Sequence, residues 1–184
     1  MEKTVLKIAF ERYDRHVPFF AGLVTPPDGV EIEALEVGHT EKTSGYTESY
    51  PRRDGVDRHI RMLHDREFDI CELSLSFYLI AKSGDFPFTA VPVFPRRLFS
   101  QSLFFVNAAS GIETPGDLVG KKVAIHGFQV TLAVLGKGDL KFEYGVPWEE
   151  IHWYTMNPPP VPLQLKEGIS VTDIPPGKDP GEML

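Results

Sequence analysis

The chain predicts an α/β fold with a largely parallel sheet, and three observations carry that prediction. Short apolar runs of strand type alternate with helical patterns from residue 5 to residue 156, the rhythm of βαβ units. The turns that follow the strands carry hydroxyls, arginines or a histidine, at 13–15, 74–76, 96–97 and 126–131, and such turns are where a parallel sheet gathers its ligands. With 184 residues, 42% hydrophobic and 24% charged, the chain has ordinary globular composition and is long enough for one large domain, or for one domain and part of another.

The first strand is 5–10 (VLKIAF), and Glu11-Arg12-Tyr13-Asp14-Arg15 leaves its carboxyl end. A short apolar segment, 17–23, stops at Pro26-Pro27-Asp28-Gly29, a strong turn signal. Residues 30–37 (VEIEALEV) alternate every second position, as a half-buried strand does. Residues 38–55 are polar and aperiodic and read as a long loop. Residues 57–68 (DRHIRMLHDREF) form a helix with Ile60 and Leu63 turned inward and a solvated charged face, its acids offsetting its arginines.

The stretch 68–97 organises the rest. It holds a buried strand at 69–73, a polar turn with Ser74 and Ser76, a helix at 77–82, a second buried strand at 88–94 and a Pro-Arg-Arg loop. Beyond it lie an expected strand at 102–107, a turn and short helix at 108–120, a strand at 121–125 (KKVAI), a helix over about 130–144 and a strand at 150–156. From 158 to 180 the chain holds seven prolines, which oppose regular structure over much of that tail. Asp179 before Pro180 nonetheless reads as the start of a helix. Two lobes follow, 1–106 and the start of a second at 107–156, with the Pro-rich tail at 157–184 disordered or cut short.

The net charge of −7 argues against nucleic acid or an anionic membrane as the main partner, since both need clustered positive potential. The one cysteine, Cys71, has no internal disulfide partner and sits in an apolar strand pattern as a small buried hydrophobe. No run resembles a signal-peptide core or the roughly 20 apolar residues of a membrane span, so a cytoplasmic location is expected. The six histidines are scattered without metal-ligand spacing, and neither GxGxxG nor GxxxxGKS occurs. No metal and no cofactor are expected.

The segments EFDICELSLSFYL, FPFTAVPVFPRRLF, FVNAASGIETPGDLVGKKVAI and EYGVPWEEIHWYT resemble, in order and over most of residues 5–156, the 4,5-dihydroxyphthalate decarboxylase group on the type 2 periplasmic-binding-protein fold. The resemblance implies two α/β lobes around a ligand cleft, a crossover near 104–107, and a family chain about twice this long. The second lobe would then be incomplete, and a second copy of the chain would have to complete the cleft. Two departures stand out: the long loop at 38–55, and Leu135 and Lys137 where a Trp and an Arg are usual.

Decarboxylation of such an aromatic acid needs its carboxylates anchored and a proton delivered to the ring carbon. Arg15 and Arg96 are the expected carboxylate clamps, with Tyr13, Ser74, Ser76, Tyr78, Phe128 and Thr131 lining the site. His126, Asp14 and Tyr13 are the available acid or base groups, and Glu72 joins them if a cleft position favours its protonated form. Each has a plainer alternative. Arg96 and Arg97 suit a solvated surface pair, Ser74 a helix N-cap, His126 a structural histidine, Tyr13 and Tyr78 packing, and Glu72 an ion pair. Two functions of different class remain: a cofactor-free decarboxylase acting on a small anionic aromatic ligand, favoured by the missing export signal, or a solute-binding protein that captures such a ligand without chemistry. A remnant that needs a partner is the third.

Overall fold

The computed structural model describes residues 3–37, 58–95, 97, 99–175 and 177–183. The chain divides into two compact units, Met1–Pro95 and Arg96–Leu184, each built on its own three-stranded parallel sheet. The expected loop at 38–55 lies outside the described residues, as does Arg96.

In the first unit, β1 (Thr4–Phe10) is central. It leads through a short helix, α1 (Val17–Phe20), to β2 (Val30–Glu36), which pairs with it in parallel from Thr4↔Val30 to Phe10↔Glu36. The reversal before β2 turns at Gly29, whose φ of 81° only glycine adopts without strain. Next, α2 (Arg58–Ile60) runs into one π-helical turn, Arg61–Asp65. That turn closes at Arg66 in the left-handed region, with φ of 52°. The short β3 (Ile70–Cys71) pairs along the other side of β1, giving the order β2-β1-β3, and α3 (Leu75–Ser83) follows at once. Ala9, Val37 and Phe68 form the core under these strands, with Leu35, Met62 and Cys71 against them. All three strands end on one side of the unit, so Glu11, Val37 and Glu72 stand at a common edge.

In the second unit, β4 (Lys122–Gly127) turns directly into α4 (Thr131–Phe142), and β5 (His152–Asn157) pairs with β4 in parallel. Phe128, Leu140, Val146, Ile151 and Trp153 make its core. The proline-rich tail, expected to lack regular structure over much of its length, adds a strand, β6 (Val171–Asp173), that pairs in parallel with β5. Its end carries α5 (Pro180–Met183), opened by Asp179, whose Oδ1 accepts the Gly181 N–H at 2.7 Å. The expected helix start at Asp179-Pro180 is therefore present.

Two expected strands are absent. Residues 88–94 make no ladder: Phe88 N–H turns back to Phe86 O at 2.9 Å and Val93 N–H to Val91 O at 2.7 Å. Pro87, Pro92 and Pro95 withhold the donors a central strand would need. The segment expected as a strand at 102–107 begins instead as a 3-10 turn, Ser100–Leu103. Side-chain bonds hold it: Ser100 Oγ and Gln101 Nε2 both donate to Asp139 Oδ2, at 2.9 and 2.7 Å. No helix among the described residues is long and apolar enough to cross a membrane.

Candidate functional site

At the shared strand edge of the first unit sits a buried guanidinium. Arg58 opens α2, and its side chain is 7% exposed. Its Nε donates to Glu72 O at 3.0 Å, its Nη2 to Glu72 Oε2 at 3.1 Å, and its Nη1 to Glu11 Oε2 at 3.1 Å and Val37 O at 3.5 Å. One cation thus ties together the ends of β1, β2 and β3. The helix at 57–68 is therefore not simply a solvated charged face, because Arg58 and His59 are both buried. Glu72, expected either in a pair or in a protonating cleft, is paired.

Arg15 stands beside this cluster and is used differently. Its Nη2 lies 3.9 Å from Glu72 Oε1, too long for a hydrogen bond, and its guanidinium stacks on the Tyr13 ring at 4.2 Å. Its side chain is 37% exposed, and it makes no hydrogen bond to a described residue. Tyr13 OH donates to Glu11 Oε2 at 2.8 Å, which orients the ring under Arg15. Asp14 is exposed in the 3-10 turn Asp14–His16. His16 braces that turn: its Nδ1 sits 2.7 Å from Glu11 O and its ring stacks on Phe10 at 4.5 Å. Ser74 occupies the N-cap position of α3 without a side-chain cap bond to the helix backbone; its hydroxyl lies 3.2 Å from Ser76 Oγ. Tyr78 is half-buried on the same helix.

The second unit gathers the other expected residues at the end of β4. His126 is half-buried. Asn157, at the end of β5, donates Nδ2 to His126 O at 2.7 Å and lies 3.3 and 3.4 Å from both ring nitrogens, so the amide lies over the imidazole face. Phe128 is buried in the core and presents only its backbone to the turn. Gln129 is buried and bonds Val161 twice, Nε2 to O at 2.7 Å and Val161 N–H to Oε1 at 3.2 Å. Thr131 begins α4 and is half-buried. Beneath the turn lies Lys137, its Nζ donating to Phe128 O at 2.8 Å. No group of metal-ligating side chains gathers among the described residues.

No protein-family model matches the chain. Along its whole length, however, it is 32% identical over 191 aligned positions to a 4,5-dihydroxyphthalate decarboxylase of Comamonas testosteroni, covering 53% of that protein. The chain is a relative of the 4,5-dihydroxyphthalate decarboxylases. The enzyme of that name from Pseudomonas putida is 33% identical over 132 positions, 65% of this chain and 51% of its own length. The chain spans about half the length of the curated relatives it matches.

Within this decarboxylase relative, the residues that build the first unit's edge are mostly ones that sequence reasoning passed over. Arg58 hides in a helix whose charges balance, and periodicity cannot separate a buried arginine from its solvated neighbours. A usable signal was present, since Glu11 and Glu72 each end a strand and acids there need a cation close by. Asn157 and Gln129 left no comparable signal. Lys137 stood out only as a departure from the usual arginine.

Proposed function

We propose that the chain is a decarboxylase-like, cofactor-free protein of the type 2 periplasmic-binding fold that acts on an aromatic, phthalate-type carboxylic acid. The observation that carries this reading is Arg15, a guanidinium placed over the Tyr13 ring at the strand edge and only loosely paired with Glu72 at 3.9 Å, beside a charge cluster that Arg58 neutralises. A planar fork of this kind matches a carboxylate in bidentate fashion. Arg58 has no such spare donors toward a ligand and acts instead by neutralising and fixing Glu11 and Glu72. Both curated relatives carry the name 4,5-dihydroxyphthalate decarboxylase, a substrate with two ring carboxylates.

The chemistry needs a carboxylate anchor and a proton donor. Arg15, with Ser74, Ser76 and Tyr78 at the start of α3, anchors a carboxylate, and Arg96 is assigned the companion clamp. His126 is assigned the proton. Its imidazolium gives a proton to the ring carbon that bears the leaving carboxylate; the carbon–carbon bond then breaks, its electron pair returns to the ring and carbon dioxide departs. Glu72, ion-paired to Arg58, serves as an acceptor, and Asp14 and Tyr13 are held in reserve as acid or base. Capture without chemistry is the second reading, supported by Arg15, whose part in holding a carboxylate needs no proton donor. Titration calorimetry with phthalate tests the clamp. Arg15→Ala is expected to weaken binding more than about tenfold, since a charged hydrogen bond contributes about 1.5–3 kcal/mol; unchanged affinity removes Arg15 from the site.

A further inference from the structure

Lys137 lies on the inner side of α4 and is 7% exposed. Its ammonium sits 3.3 Å over the Phe128 ring, 5.5 Å from the Trp148 ring and 5.7 Å from the Trp153 ring. Its hydrogen bond within this aromatic box goes to Phe128 O, in the turn that joins His126 to Thr131. We propose that Lys137 is a positioning residue: from inside the core it holds the β4-to-α4 turn by the Phe128 carbonyl, while Gln129 holds the same turn from the side through Val161, and together they fix where His126 and the start of α4 stand.

A lysine serves this purpose better than an apolar side chain of equal volume. The carbonyl would otherwise be a buried acceptor above aromatic rings, and an ammonium satisfies it while gaining the favourable faces of those rings. The titratable groups on the surrounding elements are Asp139 and Lys141 on α4, Glu149 and Glu150 before β5, Lys122 and His126 on β4, and His152 and Tyr154 on β5; among the described residues none forms an ion pair with Lys137. Asp139 instead accepts from Ser100 and Gln101, and Glu149 pairs with Lys141. Burial without a counter-ion lowers the Lys137 pKa from 10.5 to about 8, so its grip on the carbonyl weakens in mildly alkaline solution.

The inference rests on the proposed site in the second unit, and its test separates the two. In the full chain, the Phe128 carbonyl carbon and Gln129 amide nitrogen are followed by NMR in wild type, Lys137→Met and Lys137→Arg, alongside calorimetric titration with phthalate. The expected result is displaced turn resonances in Lys137→Met, restored in Lys137→Arg, with phthalate affinity nearly unchanged in both, because the turn positions the proton donor and not the carboxylate anchor. Unmoved turn resonances in a folded Lys137→Met overturn the proposal. If Lys137→Met does not fold, the wild-type turn resonances must follow the Lys137 titration near pH 8, and their indifference to it overturns the proposal equally. If wild type binds no phthalate, the functional reading falls while the resonances still decide the role of Lys137.

Discussion

Replacing Arg58 by methionine keeps most of the side chain's volume and deletes its charge, and the structure sets the size of the effect. Four hydrogen bonds disappear, two of them to the carboxylates of Glu11 and Glu72. The side chains of those acids are 22% and 11% exposed, so neither is well hydrated, and Arg15 at 3.9 Å from Glu72 offers only partial compensation. Removing one partner of a buried ion pair costs about 3–5 kcal/mol because the other charge stays buried. With a urea slope of about 2 kcal/mol/M, the unfolding midpoint of the first unit should fall by roughly 2 M. Adding Glu11→Gln and Glu72→Gln should recover much of the loss, since exchanging a whole buried ionic cluster for neutral groups is nearly neutral. A loss below about 1 kcal/mol, the scale of an exposed pair, would refute the view that Arg58 locks the three strand ends.

Other outcomes follow from the same packing. A Cβ on Gly136 would overlap the Phe104 ring, whose Cε atoms lie 3.1 and 3.2 Å away with Cζ closer still. Gly136→Ala should therefore destabilise the chain by about 1–2 kcal/mol by thermal melting, the range for overpacking, yet stabilise it by up to about 1 kcal/mol in a Phe104→Ala background, where only helix propensity remains. Because the folded-state pKa of Lys137 is depressed to about 8 from 10.5, the unfolded chain holds the extra proton between those values. Wild-type stability relative to Lys137→Met should then rise by about 3 kcal/mol from pH 8 to pH 10.5; a flat difference contradicts the buried charge. Asp117 accepts the N–H groups of Glu113 and Thr114 and the Thr114 hydroxyl, which hold its carboxyl below the ordinary aspartate value of 3.8. Its NMR titration should show this, and the stability it lends should fade as pH falls through that lowered value.

Much of the fold was legible because strand and helix periods differ. The runs at 5–10, 30–37, 121–125 and 150–156 all became strands within a residue or two of their expected bounds. The failures share a cause. At 88–94 hydrophobicity suggested a strand, while Pro92 removed a donor inside the run and Pro87 and Pro95 closed it at either end, and at 100–103 serine and glutamine side chains bonded Asp139 in preference to a ladder. Hidden inside the tail, β6 is three residues long, too short to show a period. At the candidate site, strand-end residues such as Arg15, Glu72 and His126 could be found because chain order alone puts them at a sheet edge. Arg58 and Lys137 could not, because each is a charged residue whose burial depends on partners distant in sequence or on rings that only the fold assembles.

The most direct test of the decarboxylase account is release of carbon dioxide when the purified chain is incubated with 4,5-dihydroxyphthalate, with His126→Gln run in parallel. The account predicts carbon dioxide equimolar with the acid consumed, and a His126→Gln variant that binds the acid with nearly unchanged affinity but turns it over at least about a hundredfold more slowly. Binding of the acid by the wild-type chain without any carbon dioxide would contradict the account and leave capture of the ligand as its function.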